Sequence, residues 1–236
     1  LGDQESICPV SGSSGSQVLR RLPSLGAFHG RPRRPGPGPP AESARAADTS
    51  GASARLLPTE PLIFLKPPSS IIEDGAWIER PPQSTQVEHE GEIGILIGKQ
   101  LRRVSESEAV SGIGGIVAVN DVTARDLQRK DSQWTRAKGF DTFCPVGNVH
   151  EGPVDLEALQ LITTVNGEVK QKATSSEMVF KIPMLLSFIS HIMTLEPGDL
   201  VATGTPSGIS PLRAGDTVEV NIKGISRVRN PVRDVQ

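Results

Sequence analysis

The segment VEHEGEIGILIG, from Val87 to Gly98, constrains the fold of this chain more than any other. Three glutamates recur at every second residue, and three isoleucines occupy the opposite phase: Glu88, Glu90 and Glu92, then Ile93, Ile95 and Ile97. Because neighbouring side chains on a strand point to opposite faces, this pattern predicts a strand with one apolar and one acidic face. Unpartnered buried carboxylates are costly and like charges repel, so the acidic face needs either solvent or cations.

The residues alone leave two interpretations of the acidic face open. In the first, the segment is an edge strand whose glutamates lie in solvent, which is the commoner situation for charged side chains. In the second, Glu90 and Glu92, about 6–7 Å apart along the strand, bind one divalent cation together with Asp121, which follows the apolar run IVAVN. A ligand set of carboxylates alone favours Mg²⁺ or Mn²⁺ over zinc. Glu88 lies nearer the strand end, and we expect it to be exposed to solvent.

The composition of the chain changes near residue 60. Residues 1–60 contain seven arginines, no lysine and a single aromatic residue, Phe28. The stretch RPRRPGPGPPAESARAADTSGASAR has no periodicity and few groups to bury, which is typical of disordered or linker-like sequence. We therefore expect a divergent, low-complexity or disordered segment over residues 1–59 and a folded domain over residues 60–236.

Residues 60–236 carry the alternation and turn signals of a β-rich domain. Strands are predicted over 61–66, 90–98, 199–206 and 216–225, and a buried strand that runs into a polar turn is predicted over 112–126. The clearest hairpin, over 159–171, turns at Asn166–Gly167, a pair that accepts the positive φ angles of a tight turn. One helix is predicted, over 182–195, and its apolar face carries Leu185, Phe188, Ile189 and Ile192. This pattern predicts a mainly β (α+β) fold with a mixed sheet that is rolled or sandwiched.

The charge and the cysteine content exclude several classes of function. A formal net charge of −2 and a pI near 6.1 give no basis for a nucleic-acid partner or an anionic membrane partner. No apolar run reaches the roughly 18–20 residues needed to cross a bilayer, and we recognise no secretory signal. The two cysteines, Cys8 and Cys144, do not form a disulfide framework. We therefore expect a reducing, cytoplasmic setting.

Six motifs follow one another between Glu60 and Val232. In chain order they are PLIFLKPPSSI, VEHEGEIGILIGK, VNDVTARDLQ, QWTRAKGFDTFCPVG, VNGEVKQ and LVATGTPSGI. Their residues, order and rough spacing resemble the fumarylacetoacetate hydrolase family, and in particular its bacterial 2-hydroxyhepta-2,4-diene-1,7-dioate isomerases and acylpyruvate hydrolases. The resemblance implies the β-sandwich or β-roll of that family's C-terminal domain, with few helices.

The resemblance implies a metal and a class of substrate. In the family a divalent cation, Mg²⁺ or Mn²⁺, is held by the residues that match Glu90, Glu92 and Asp121. Family substrates are 2-oxo acids, often diacids, that bind the metal through a 2-oxo oxygen and a carboxylate oxygen. The cation acts as a Lewis acid, so that electrons from a cleaved C–C bond or an abstracted proton collect on a metal-stabilised enolate.

The resemblance also implies roles for residues around the metal. Lys138, within WTRAK, matches the active-site lysine, which is expected to bind a carboxylate or to stabilise a developing oxyanion. Arg125 and Gln128, within TARDLQ, match polar residues on the substrate side of the site. Thr205, within TGTP, matches a threonine that contacts the substrate carboxylate, and Gly204 lets the backbone approach the substrate closely.

Other residues near these motifs are expected to have structural roles. Asp126 is predicted to be a hydrogen-bonding partner, whereas Trp134, Phe140 and Phe143 are predicted to belong to the core. His191, on the predicted helix, is expected to be half-buried.

One expected feature of the family is not found in the sequence. Upstream of the motifs, the family usually has a G-x-N-Y segment and a short lid helix, whose histidine and glutamate activate water in the hydrolases. His29 lies in the expected region, but the prolines that follow it are incompatible with a helix. Residues 1–59 are then either a divergent replacement or a translation from the wrong frame of a GC-rich gene.

Two kinds of function remain open at this point. The chain is either an active isomerase or hydrolase of aromatic-compound catabolism, or a catalytically impaired member that binds a metal and a dicarboxylate. Oxaloacetate-type decarboxylation is a further alternative for an active enzyme. Isomerisation and decarboxylation tolerate a missing dyad better, because they need no hydrolytic water. The resemblance also implies a homodimer.

Overall fold

The computed structural model describes residues 15–19, as backbone, and residues 58–235. Within these residues the chain forms fourteen strands: β1 (Gly15–Leu19), β2 (Leu62–Lys66), β3 (Ile71–Ile72), β4 (Ile78–Arg80), β5 (Val87–Glu88), β6 (Gly91–Ile97), β7 (Ile113–Asn120), β8 (Thr123–Ala124), β9 (Cys144–Pro145), β10 (Gln160–Val165), β11 (Glu168–Thr174), β12 (Leu200–Ala202), β13 (Thr217–Ile222) and β14 (Ser226–Asp234). The described α-helices are α1 (Glu106–Val110), α2 (Arg125–Lys130), α3 (Thr135–Lys138) and α4 (Ile182–Ile192).

The strands form two large sheets and two small ones. The first large sheet has the order β2-β1-β12-β6-β7, in which the β1–β2 pair is parallel and the others are antiparallel. The second has the order β11-β10-β13-β14-β4, in which the β14–β4 pair is parallel. Strand β3 pairs with β9, and β5 pairs with β8. The predicted mainly β architecture with mixed sheets and few helices is confirmed.

The two large sheets pack against each other through an apolar core. From one face of β6, this core receives Ile93, Ile95 and Ile97. The facing strands and β7 supply further buried residues, namely Ile116, Ala118, Leu161, Val220, Ile222 and Val228. Since β6 lies between β12 and β7, it is a central strand. The edge-strand interpretation of the opening segment is therefore wrong.

The helix α4 packs against this core. Its first turn contains Pro183, which lacks only an N–H that would have no partner within the helix. The buried residues of the helix are Ile182, Leu185, Leu186, Ile189 and Ser190. The predicted apolar face was wrong at its end, because Ile192 is 58% exposed. Ile192 is the last residue of the helix, and its side chain lies outside the core.

The hairpin between β10 and β11 turns where it was predicted to turn. Asn166 and Gly167 have φ angles of 52° and 83°, which are the positive values that the Asn-Gly pair accepts. No helix among the described residues is long and apolar enough to cross a membrane.

The strand β1 falls within the segment that the composition predicts to be low-complexity or disordered. Its backbone pairs with β2 on one side and β12 on the other. The remainder of residues 1–57, with Cys8, Phe28 and His29, lies outside the described residues. The predicted division of the chain at residues 59 and 60 therefore stays a prediction.

Candidate functional site

Three buried carboxylates meet at one end of the β6–β7 pair. The strand register places Gly91 opposite Asn120, and the backbone N–H of Asp121 donates to the carbonyl of Glu90 at 2.8 Å. One oxygen each of Glu90, Glu92 and Asp121 lies within 4.8 Å of the other two. Each of these residues is at most 1% exposed. The structure thus brings the three predicted ligands together, and their binding of a metal stays a prediction.

Two buried lysines reach these carboxylates from different elements. Lys138, at the end of α3, donates from Nζ to Glu90 Oε2 at 3.0 Å and to Asp121 Oδ2. Lys66, at the end of β2, donates to Asp121 Oδ1 at 2.8 Å and to the backbone carbonyl of Lys138. Lys138 is the lysine that the sequence singled out. Lys66 was not singled out, and its available signal was a lysine set between the apolar run LIFL and two prolines.

Glu92 differs from its two neighbours in having no ion pair with a cationic side chain among the described residues. Its carboxylate accepts a hydrogen bond from the backbone N–H of Gly204 at 2.7 Å. With Glu88 included, four buried carboxylates in this region face three cationic side chains, so negative charge is in excess. A buried excess of negative charge, carried by oxygen donors, fits a hard divalent cation.

The protonation equilibria of these groups follow the same imbalance. Burial raises the pKa of Glu92 well above its ordinary value, and the nearby carboxylates of Asp121 and Glu90 raise it further. Burial also opposes ionisation of Glu90, but Lys138 and Arg125 outweigh that effect and lower its pKa. Burial alone would lower the pKa of Lys138, yet the neighbouring carboxylates raise it overall. Lys138 is therefore an ammonium ion in this arrangement and not a base.

Arg125, the first residue of α2, links two of the glutamates. Its Nε donates to Glu88 Oε2 at 2.8 Å, and its Nη2 donates to Glu90 Oε1. Its Nη1 donates to Gln128 Oε1 at 2.5 Å. Glu88 is 5% exposed, so the expectation that it lies in solvent was wrong. The physical reason is that the buried guanidinium of Arg125 provides the partner that a lone strand-end glutamate would lack.

Gln128 presents a different situation from Arg125. Its side-chain Nε2 is buried and has no hydrogen-bond partner among the described residues. An amide donor without a partner is compatible with the substrate-side role that the resemblance implies, because a ligand oxygen would satisfy it. The substrate-binding role of Arg125 and Gln128 stays a prediction.

The TGTP turn lies against the carboxylates at Gly204. Gly204 has a φ of 97°, a conformation that glycine adopts without strain, and this orients its N–H towards Glu92. The hydroxyl of Thr205 donates to the carbonyl of Gly91 at 2.8 Å and accepts from Gln171 Nε2 at 2.7 Å. In this structure Thr205 therefore holds the turn against β6, and its contact with a substrate stays a prediction.

Gln171, on β11, is a residue that the sequence did not single out. Its Oε1 accepts from the backbone N–H of Gly91 at 3.0 Å, while its Nε2 donates to Thr205 and to the carbonyl of Pro206. Gly91 allows this close packing, because a Cβ atom there would lie 2.0 Å from Thr163 Oγ1. The signal for Gln171 was its place at the end of the VNGEVKQ motif.

The residues expected to be structural have mixed outcomes. The carboxylate of Asp126 accepts hydrogen bonds from Ser84 Oγ at 2.6 Å and from the backbone N–H of Thr85 at 2.9 Å, which confirms its structural role. Phe143 is fully buried, as predicted. Trp134 and Phe140 are half-buried. His191 is exposed, so the prediction of a half-buried histidine was wrong.

The hydrogen bonds given for the described histidines join them to groups other than the three carboxylates, although His89 directly precedes Glu90 in the chain. His89 Nε2 lies 2.9 Å from Ser210 Oγ, His191 Nδ1 lies 2.9 Å from the carbonyl of Ser187, and His150 pairs through its backbone with Ile116.

An apolar cavity of about 80 Å³ lies on the other side of the TGTP turn. Ile93, Leu161, Phe180 and Leu185 contribute to its lining, together with the turn itself. None of the three clustered carboxylates lines it. Ile93 and Glu92 are neighbours on β6 and point to opposite faces of the sheet, so this cavity opens on the core side. The three carboxylates therefore lie outside this cavity, although Gly204 lines the cavity and also donates to Glu92.

Comparison with known proteins relates this geometry to a family. The family model described as "Fumarylacetoacetate (FAA) hydrolase C-terminal" matches residues 40–233. A protein from Arabidopsis thaliana named as a mitochondrial oxaloacetate tautomerase is 43% identical over 179 residues, which are 73% of this chain and 80% of that protein. A protein from Dictyostelium discoideum named as a mitochondrial oxaloacetate decarboxylase is 42% identical over 176 residues, which are 72% and 81% of the two chains.

One solved structure is similar to this chain in both fold and sequence. The crystal structure of 2-hydroxyhepta-2,4-diene-1,7-dioate isomerase from Mycobacterium marinum matches with a TM-score of 0.74 and 38% sequence identity. The match covers 96% of this chain and 76% of that one.

Proposed function

The chain belongs to the fumarylacetoacetate hydrolase family, and from that premise we propose that it is a divalent-metal-dependent enzyme of small 2-oxo acids. The observation that carries the proposal is the buried cluster of Glu90, Glu92 and Asp121, in which negative charge is in excess. Enzymes of this family, including isomerases, hydrolases and oxaloacetate decarboxylases, act on small molecules.

We propose that Glu90, Glu92 and Asp121 hold Mg²⁺ or Mn²⁺, because carboxylate oxygens without cysteine or histidine favour hard cations. When bound, the cation would act as a Lewis acid on the 2-oxo group and would neutralise the acid's carboxylate. Glu92 has no cationic partner among the described residues, so a bound cation would hold its carboxylate in the ionised form. Lys66 and Lys138 hold Asp121 in place from two sides.

The other polar groups suit a substrate that becomes more negative during the reaction. The ammonium of Lys138 lies between Glu90 and Asp121, where it would also stabilise negative charge on a substrate oxygen. The amide Nε2 of Gln128, which has no partner in the described part of the chain, offers a neutral donor. The turn at Gly204 and Thr205 borders Glu92 and limits the space on that side.

Within this chemistry we propose a proton shift, that is tautomerisation or isomerisation of a 2-oxo or 2-hydroxydienoic diacid. Two of the similar proteins bear names of that kind, the oxaloacetate tautomerase and the diene-dioate isomerase. A proton shift needs no activated water, and the described histidines contact Ser210, Ser187 and Ile116. Hydrolysis of acylpyruvates needs an activated water, so it is a weaker proposal than a proton shift.

Decarboxylation of oxaloacetate is the second candidate, because the Dictyostelium relative bears that name. It would use the same charge stabilisation and would release CO₂. A third possibility is an impaired enzyme that binds a metal and a dicarboxylate without turnover.

The test is a panel of substrates assayed with Mg²⁺ and with Mn²⁺. It contains the enol form of oxaloacetate, a 2-hydroxyhepta-2,4-diene-1,7-dioate and an acylpyruvate. We expect metal-dependent enol–keto or double-bond isomerisation that is lost in Glu92→Gln and kept in Glu157→Gln, a control in an exposed ion pair. CO₂ release would favour the second candidate, and metal-dependent oxalate binding without any turnover would favour the impaired enzyme.

We also propose that the enzyme is a cytoplasmic homodimer whose catalytic domain spans residues 60–236. Sedimentation velocity measures the oligomeric state directly, and a monomer at micromolar concentration would contradict this part of the proposal.

A further inference from the structure

Of the three glutamates in VEHEGEIGILIG, Glu88 is the one that has no role in the proposed function so far. Glu88 precedes the metal cluster by two residues, is buried, and forms an ion pair with Arg125. We propose that Glu88 is a positioning residue, which fixes the metal ligand Glu90 by orienting the guanidinium of Arg125. This inference rests on the proposed metal centre.

The contacts of Arg125 show how the orientation is set. Each of its three nitrogens donates to a different side chain: Nε to Glu88, Nη1 to Gln128 and Nη2 to Glu90. A planar guanidinium with three separate partners has one allowed orientation. Arg125 therefore gives Glu90 a single hydrogen bond from one nitrogen.

Glu88 is itself held firmly. Its Oε1 accepts from Gln86 Nε2 at 2.6 Å, and its backbone pairs with Thr123 in the β5–β8 ladder. The backbone N–H of Arg125 donates to the carbonyl of Gln86 at 2.7 Å. The two ends of the Glu88–Arg125 ion pair are thus fixed to each other through both backbone and side chains.

The consequence appears at Glu90. Its Oε1 accepts from Arg125 and from Thr123 Oγ1 at 3.1 Å, while its Oε2 accepts from Lys138. Without the charge of Glu88, Nε of Arg125 would face at most a neutral acceptor, and Glu90 would become the stronger partner for its N–H groups. The guanidinium would then turn to present two N–H groups to the Glu90 carboxylate, which is the preferred bidentate geometry. Such a pair would compete with a cation for Glu90.

The test measures the affinity of the metal-free full chain for Mn²⁺ by calorimetry. Residues that orient a metal ligand typically change metal affinity by about 10–100-fold when they are replaced. We expect Glu88→Gln to weaken Mn²⁺ binding within that range, and Glu157→Gln, the same change in an exposed ion pair, to leave it unchanged. Gln86→Leu keeps the charge of Glu88 and removes one of its hydrogen bonds, so we expect a smaller weakening.

The thermal stability of each metal-free variant separates positioning from folding. Glu88→Gln with wild-type Mn²⁺ affinity would overturn the inference and leave the metal centre intact. Where Glu88→Gln does not fold, Gln86→Leu decides, and unchanged affinity in that variant would overturn the inference. No Mn²⁺ binding by the wild-type chain would overturn the proposed metal centre, and this inference with it.

Discussion

The two faces of β6 are both buried, but they are buried in opposite kinds of surroundings. Ile93 and Ile95 enter the core between the two sheets, where they pack against other apolar side chains. Glu92 and, just before the strand, Glu90 lie on the other face among lysines and a third carboxylate. One strand therefore carries both an apolar core and a charged cluster.

The apolar face of β6 stabilises the fold, whereas burial of the charged face costs stability. Burial of apolar surface contributes roughly 25 cal/mol for each Å² removed from water. Buried ion networks, in contrast, are often no more stabilising than apolar residues of the same size. The charged face is therefore not explained by the stability of the fold. The proposed metal would account for it, and functional sites are where such departures are expected.

The largest effect that would sharpen this comparison is expected for Lys138→Met. Removing one preorganised charged donor typically reduces kcat by about 100–1,000-fold. Affinity for Mn²⁺ should not fall, because the ammonium of Lys138 occupies Glu90 and Asp121 and repels a cation. Steady-state kinetics and calorimetry on the same variant measure both. Unchanged kcat would mean that Lys138 serves only the folded structure.

A change on the apolar face should have the opposite pattern. Ile95 is fully buried, and Ile95→Ala is expected to lower the free energy of unfolding by about 3 kcal/mol. Denaturant unfolding measures this value, and Ile95→Val provides the control with a smaller loss. Mn²⁺ affinity of the folded variant should stay close to that of the wild type. A large loss of affinity with little loss of stability would show that the two faces are not separable.

The smallest effect is expected at Asp126, a charged residue whose hydrogen bonds stabilise the folded structure. Burial alone would raise the pKa of Asp126, but hydrogen bonds from Ser84, Thr85 and Leu127 lower it to about 2. Because the unfolded chain has the higher pKa, the resulting stability is present above about pH 4 and is lost as the pH falls towards 2. Asp126→Asn should therefore reduce stability by about 1 kcal/mol at pH 7, with a difference that shrinks in acid. A difference that is independent of pH would contradict this origin.

Much of the fold was predictable because its signals are local. The alternation in β6, the Asn166–Gly167 turn and the periodicity of α4 each lie within a dozen residues. The longest described strand, β14, was missed, because its buried phase includes the polar residues Ser226 and Asn230 and because Pro231 interrupts the segment. Pairing with β13 and β4 stabilises it, and these contacts are distant in sequence.

The clustering of the three carboxylates was predictable from the sequence, whereas the groups around them were not. Glu90, Glu92 and Asp121 were found from phase and resemblance. The burial of Glu88 and the approach of Lys66 depend on residues 37 and 55 positions away, respectively, and single segments carry no information about such contacts. The same applies to Gln171, which reaches Gly91 from the other sheet.

The central claim is that the buried carboxylates of β6 and β7 form a divalent-metal centre. A calorimetric titration of the metal-free chain with Mn²⁺, compared with Glu92→Gln, tests it most directly. We predict one Mn²⁺ bound for each chain at pH 7.5, with binding lost or severely weakened in Glu92→Gln and unchanged in Glu157→Gln. Absence of binding by the wild type, or equal binding by Glu92→Gln, would contradict the claim.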